Sequence, residues 1–305
     1  FMDRRDFLRQ LSLYTAGALT APPVLEVLSN PTFAASTTST VNVVKGKNYE
    51  ELTRRLLLSL GGMKKFVHSG DKVVIKPNIG WDRTPEQGAN THPLVVKTLV
   101  KMALEAGASK VQVFDRSCNE ERRCYFNSGI KEAVESLGDR RTTIPYVEER
   151  KFVPIVIKQG KALRDWIFYK EALEADCYIN VPVAKHHSLA KLTLGLKNSM
   201  GMLGGNRGRI HQNMGQNLAD IATVIRPKLT VVDATRILFR NGPVGGNLRD
   251  VKVLDTLIAS TDPVAVDSYA TTLFNFRPEE IDSIRRAYEF GLGEMDLKKI
   301  RVLEA

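Results

Sequence analysis

The sequence predicts an α/β protein with a mostly parallel sheet flanked by helices and a polar cleft at the carboxyl ends of its strands. Three observations carry this. Short apolar runs that read as buried strands, such as DKVVIKPNIG, KVQVFD and CYINVPVA, alternate with stretches of helical spacing. The connections between them are short, as in β-α-β units. Several of the strands end in charged or amide residues, and open α/β sheets bind ligands beyond those ends.

The N-terminus reads as an export signal over residues 1–35. Arg4 and Arg5 open an RRDFL core, a mildly apolar run extends from Leu11 to about Leu28 across Pro22 and Pro23, and Ala34 and Ala35 offer a processing site. The pattern resembles a twin-arginine signal. That implies the twin-arginine export machinery as a partner and a periplasmic or extracytoplasmic location. Residues 36–42, STTSTVN, read as a linker, and 43–305 as one α/β domain, with two interleaved subdomains as an alternative.

Along that domain, NYEELTRRLLLSLGG has helical spacing and ends at Gly61 and Gly62. DKVVIKPNIG is a strand. Thr91 caps the next helix, with Pro93 near its start, and KVQVFD returns as a strand. GIKEAVESLG is helical, and FVPIVIKQ and CYINVPVA are strands. KLTLGLKN places Leu192, Leu194 and Leu196 on one face, which reads as a half-buried strand. QNLADIATVIR is a helix starting near Gln216, KLTVVD and VLDTLIAS are strands, and Asp262 with Pro263 opens a helix. RPEEIDSIRRAYEFG closes the set.

The net charge of +10 is dispersed rather than gathered in one tract. Dispersed in this way it reads as a solvated basic surface, with an anionic partner as the alternative, and nucleic acid is not an expected partner because no basic patch is interleaved with aromatics. Cys118 and Cys124, six apart, are either a disulfide or two unlinked thiols, and Cys177 is a buried small hydrophobe. No G-x-S-x-G elbow, H-E-x-x-H pair or P-loop occurs.

The site candidates lie at strand ends: Lys76 and Asn78, Asp115, then Lys185, His186 and His187, then Lys197 and Asn198, then Asp233. The tandem histidines are a metal ligand or general base, or else a partly exposed loop pair. Lys185 beside them disfavours the imidazolium. Lys185, His186, His187, Lys197 and Asp267 are the catalytic candidates. His186, Asp115 and Asp233 are the candidate ligands of a single metal ion. The Gly-rich stretch 201–217 carries Arg207, Arg209 and His211, and is either a flexible loop or an anion cradle, with Arg207 and Arg209 clamping negative charge. RNGPVGGNLRD is a second Gly-rich loop. Asp267 sits inside an apolar helix, where an acid requires a partner.

GDKVVIKPNIG, HPLVVKTLVKMALEAGASKVQVFD, INVPVAKHHSLAKLTLGLKNSMGML and STDPVAVDSYA, in this order over roughly residues 40–275, resemble the family known as domain of unknown function 362. The resemblance implies an α/β fold and marks Lys76, Asn78, Asp115, Lys185, His186, Lys197, Asn198, Asp262 and Asp267 as site positions without assigned chemistry. Some relatives carry an iron–sulfur module. This chain lacks the closely spaced cysteines for a cluster of its own. Two functions follow: an exported enzyme binding a small anionic or phosphate-bearing ligand, or a non-catalytic envelope protein serving electron transfer or cofactor maturation.

Overall fold

A computed structural model describes residues 38–305. The export-signal reading falls outside the described residues. Among them, no helix is long and apolar enough to cross a membrane.

Among the described residues, ten strands form one sheet. Its main path runs β12 (Arg301–Glu304), β1 (Thr40–Lys45), β11 (Val251–Ser260), β10 (Leu229–Leu238), β7 (Cys177–Val181), β2 (Lys72–Pro77), β3 (Lys110–Val113) and β4 (Thr142–Thr143). β8 (Val183–His187) pairs with β10 and carries β9 (Lys191–Thr193). β4, β3, β2, β7 and β10 are mutually parallel, β8 is parallel to β10, and β11 runs antiparallel. The parallel strands therefore present their carboxyl ends on one side, which is what places the site.

Val73 and Ile75 of β2 join a core with helices α1 (Tyr49–Ser59) and α2 (Pro93–Glu105). Val74, one residue out of phase, faces the opposite layer. This alternation of buried residues on both faces is why the strands read as continuous apolar runs. Helices α3 (Glu121–Asn127) and α4 (Ile130–Glu135) extend the first layer. The second layer holds α6 (Gly195–Asn198), α7 (Met214–Val224), α8 (Pro263–Thr271) and α9 (Asp282–Glu289). It also holds a separate antiparallel hairpin of β5 (Phe152–Val156) and β6 (Asp165–Tyr169), followed by α5 (Lys170–Leu173).

Three local readings need correction. Residues 40–42, assigned to a linker, belong to β1, where Asn42 sits opposite Ala259. The cap of α2 is His92, whose Nδ1 accepts from Leu94 N; Thr91 instead donates to Val181 O and accepts from Asn78 N, pinning β2 to β7. KLTLGLKN is not one strand: β9 stops at Thr193 and Gly195–Asn198 is a helical turn. The helix expected near Gln216 is present, starting at Met214 after a 3₁₀ segment over Arg207–Asn213. FVPIV is a strand as read, and among the described residues it pairs with β6, outside the large sheet. The reading of Asp262 holds, since it accepts from Val264 N and Ala265 N with Pro263 in the first turn.

Candidate functional site

The floor of the site is a buried ion pair. β2 delivers Lys76 and the end of β3 delivers Asp115, with Lys76 Nζ 2.8 Å from Asp115 Oδ1. Lys76 also donates to Pro77 O and to Asn198 Oδ1, both at 2.8 Å. Three partners take up the three N–H groups of its ammonium. Asp115 Oδ2 accepts from Ile79 N at 2.7 Å. Burial pulls the lysine below its ordinary pKa, and the aspartate pulls it back. The chain packs directly on this pair: a Cβ on Gly201 would stand 1.8 Å from Asp115 Oδ1, so that position requires glycine.

An amide network spreads from the pair. Asn198 Oδ1 also accepts from Asn78 Nδ2 at 3.1 Å, and Asn198 Nδ2 donates to Asn180 Oδ1 at 2.8 Å. Asn78 Oδ1 accepts from Lys185 Nζ at 3.0 Å, and Lys185 donates to Ala89 O as well. Lys185 is 1% exposed, and its ammonium lies 6.0 Å from the centre of the Trp81 ring. Burial first, and then the neighbouring Lys197, push its pKa down to about 7. Lys197 is lowered to about 8 by burial, with Arg207 and Lys76 adding to the effect against the opposite pull of Cys118. Among the described residues its ammonium meets only the Met200 thioether, at 3.4 Å.

Lys197 and Asn198 sit on the single turn of α6, and Asp267 holds that turn. Its carboxylate accepts from Gly195 N at 2.7 Å and Leu196 N at 2.8 Å. A Cβ on Gly195 would come within 2.8 Å of Asp267 Oδ1. Asp267 is 1% exposed, and burial raises it to about 7 against those two hydrogen bonds. It does not line the cleft, so the partner its sequence context demanded is backbone, and its role is to position α6.

The tandem histidines separate. His187 lines the cleft, and its Nδ1 accepts from Leu189 N and Ala190 N at 3.1 and 3.2 Å. The neutral ring therefore carries its proton on Nε2. Burial first, then Lys197 and Lys185, drive its pKa to about 3. Neutral, with Nδ1 occupied, His187 is a hydrogen-bond donor to the cleft rather than a base. His186 turns to the Gly-rich loop, its Nδ1 within 3.3 Å of the Gly242 backbone.

Lys76, Asn78, Asp115, Lys185, His187, Lys197, Asn198 and Arg207 thus converge on one cavity of about 650 Å³. Arg207 is fixed by bonds to Arg116 O at 2.8 Å and Ser117 O at 2.9 Å. Arg209 stays outside, its guanidinium 6.0 Å from the Trp166 ring centre. Asp233 is not at a strand end: β10 continues to Leu238, and the carboxylate accepts from His92 N, Thr235 N and Thr235 Oγ1. The proposed metal trio of His186, Asp115 and Asp233 accordingly does not assemble. Among the described residues no group of three His, Cys, Asp or Glu side chains is placed to hold a metal ion.

Three contributors escaped sequence reasoning: Trp81 and Cys118 in the cavity wall, and Asn180 beneath it; His211, noted in the Gly-rich stretch without a role of its own, also lines the cavity. Trp81, one of two tryptophans, follows the PNIG strand end by one residue, which was a usable signal. His211 stacks on His187 with ring centres 6.2 Å apart, a contact between distant segments. Cys118, Cys124 and Cys177 are all free thiols, with Cys118 exposed and the others buried.

Residues 73–272 match the model of the family described as Domain of unknown function (DUF362). A thylakoid-associated protein from Synechocystis sp. is 29% identical over 266 residues, covering 83% of this chain and 80% of that protein. Among solved structures, a structural-genomics protein from Thermotoga maritima is 12% identical with a TM-score of 0.46, covering 79% of this chain and 59% of its own. The lactate racemase apoprotein from Thermoanaerobacterium thermosaccharolyticum is 12% identical with a TM-score of 0.44, over 76% of this chain and 56% of its own. This chain therefore spans less than two thirds of either solved structure.

Proposed function

The chain belongs to the DUF362 family, and from the chemistry of its cleft we propose that it is an enzyme binding a small anionic ligand, carboxylate- or phosphate-bearing, on Lys185 and Lys197. The observation that carries this is the absence of a carboxylate partner for either ammonium among the described residues, although both line one cavity. Lys76 is neutralised by Asp115, whereas Lys185, Lys197 and Arg207 leave the cavity cationic. Buried like charges held apart from any counter-ion are costly, and an anion relieves that cost.

In this reading Lys197 and Lys185 pair with the anion, Arg207 contributes charge, and His187 donates from Nε2 to a ligand oxygen. Lysines poised near neutral pH exchange protons readily, which suits general acid–base chemistry on the bound ligand. We place the protein outside the cytoplasm, delivered by the twin-arginine pathway. The Arg4–Arg5 pattern supports this, as does a relative named for its association with thylakoids.

The test is thermal unfolding in low salt with phosphate and with a panel of small carboxylates. A ligand at a hundredfold excess over its Kd raises the midpoint by about 5 °C in a chain of this size. Lys197→Met loses most of that rise. If every anion leaves the wild-type midpoint unmoved, the anion reading fails.

A further inference from the structure

We infer that Lys197 is a nucleophilic amine that captures the carbonyl group of a small 2-oxo acid as a Schiff base, with Lys185 carrying the protons. The inference rests on the anion-binding reading above and names the ligand class and the chemistry.

The three cleft lysines are graded by their partners. Lys76 has all three N–H groups committed, one of them to a carboxylate, so it stays an ammonium and offers no lone pair. Lys185 gives two N–H groups to Asn78 Oδ1 and Ala89 O, leaving one tetrahedral position for the cleft. That position holds either a proton or a lone pair, which is the geometry of a proton carrier. Among the described residues the Lys197 ammonium donates only to the Met200 thioether, a weak acceptor, and the residue is half-buried rather than enclosed. It can turn to a ligand and lose its N–H groups without stranding a carbonyl oxygen. Desolvation and cationic neighbours are what activate a lysine as a nucleophile, and Lys197 has burial, Arg207 and Lys76 acting in that direction, with a pKa of about 8.

The same cations define the carbonyl compound. A neutral aldehyde would leave the charge of Arg207 and Lys185 unanswered, whereas a 2-oxo acid brings a carboxylate next to its carbonyl. His187, a donor at Nε2, is suited to the carbonyl oxygen. The Lys197 lone pair forms the N–C bond while the C=O π pair moves to oxygen, which takes a proton from the Lys185 ammonium. Lys185, now an amine, removes a proton from the new secondary ammonium and gives the carbinolamine. It returns that proton to the hydroxyl, water departs, and the nitrogen lone pair closes a protonated C=N bond. The carbonyl compound, the Lys197 amine and one proton from the Lys185 ammonium become the iminium ion and one water, leaving Lys185 as the amine, with no change of oxidation state.

The experiment incubates the full chain with sodium pyruvate, adds sodium borohydride, and reads intact mass and a peptide map. Binding of pyruvate without reductant is measured in parallel by calorimetry. The expected result is one reduced adduct per chain, mapped to Lys197, with a yield rising as pH passes through about 8. Lys197→Arg, which keeps the charge, loses the adduct, and Lys185→Arg retains it but slows its formation about tenfold or more. Pyruvate that binds with no adduct overturns the inference and leaves the anion reading standing. An adduct mapped to Lys185 or scattered over surface lysines overturns it too. Neither binding nor adduct with pyruvate, together with an unmoved midpoint across the anion panel, removes both.

Discussion

Two adjacent histidines of one type acquire different roles because they lie on a strand. β8 persists through His187, so the rings leave it in opposite directions, His186 to the Gly242 loop and His187 into the cleft. Their doublet was legible in the sequence, as was the influence of Lys185 on the imidazole. The tautomer was not, because it depends on the backbone N–H groups of Leu189 and Ala190 folding back onto Nδ1. His187 should therefore show no titration between pH 8 and 5 in a histidine-selective NMR experiment, with Nε2 the protonated nitrogen throughout. Its folded-state pKa of about 3 lies below the ordinary 6.5, so its contribution to stability is present above pH 6.5 and fades as pH falls towards 3. A ring that titrates near pH 6.5 contradicts the assignment.

The same distance between local signal and tertiary cause appears in α6. Leu192, Leu194 and Leu196 alternate as a strand would, and all three are buried. Nothing within the segment announces a turn at Gly195. The deciding partner is Asp267, 72 residues away, which caps the turn through Gly195 N and Leu196 N. Sequence reasoning identified Asp267 as a buried acid in need of a partner and could not name one. Asp267→Ala strands two buried N–H donors and should cost about 2–4 kcal/mol in urea denaturation. Asp267→Asn, able to accept at one oxygen, should recover part of that. Because the turn carries Lys197 and Asn198, both variants should also weaken anion binding, although Asp267 touches no ligand. Unchanged stability in Asp267→Ala would remove it as the anchor of α6.

At the scale of the molecule, the alternation of strands and helices was legible, and so was the gathering of polar strand ends. Lys76, Asp115 and Lys185 share a cleft because β2, β3, β7, β8 and β10 run parallel and finish on one side, and the α6 turn brings Lys197 to the same cavity. Asp233 misled because β10 is ten residues long and passes straight through the position where its apolar run pauses. Arg207 reaches the cavity through a 3₁₀ segment whose path no local pattern specifies. What the whole arrangement implies is a cationic cavity whose two least-satisfied ammonium groups have pKa values of about 7 and about 8. Phosphate, which offers Lys197 no carbonyl group, holds both lysines protonated, so its binding takes up protons at pH 8, and its affinity falls as pH rises through that range. Calorimetric titration of phosphate into the full chain between pH 6 and 9, in buffers of differing ionisation enthalpy, measures both effects. The account predicts saturable one-to-one binding, proton uptake at pH 8, weaker affinity at pH 9, and loss of binding in Lys185→Met/Lys197→Met. Phosphate binding that is independent of pH and undiminished in the double variant would contradict it.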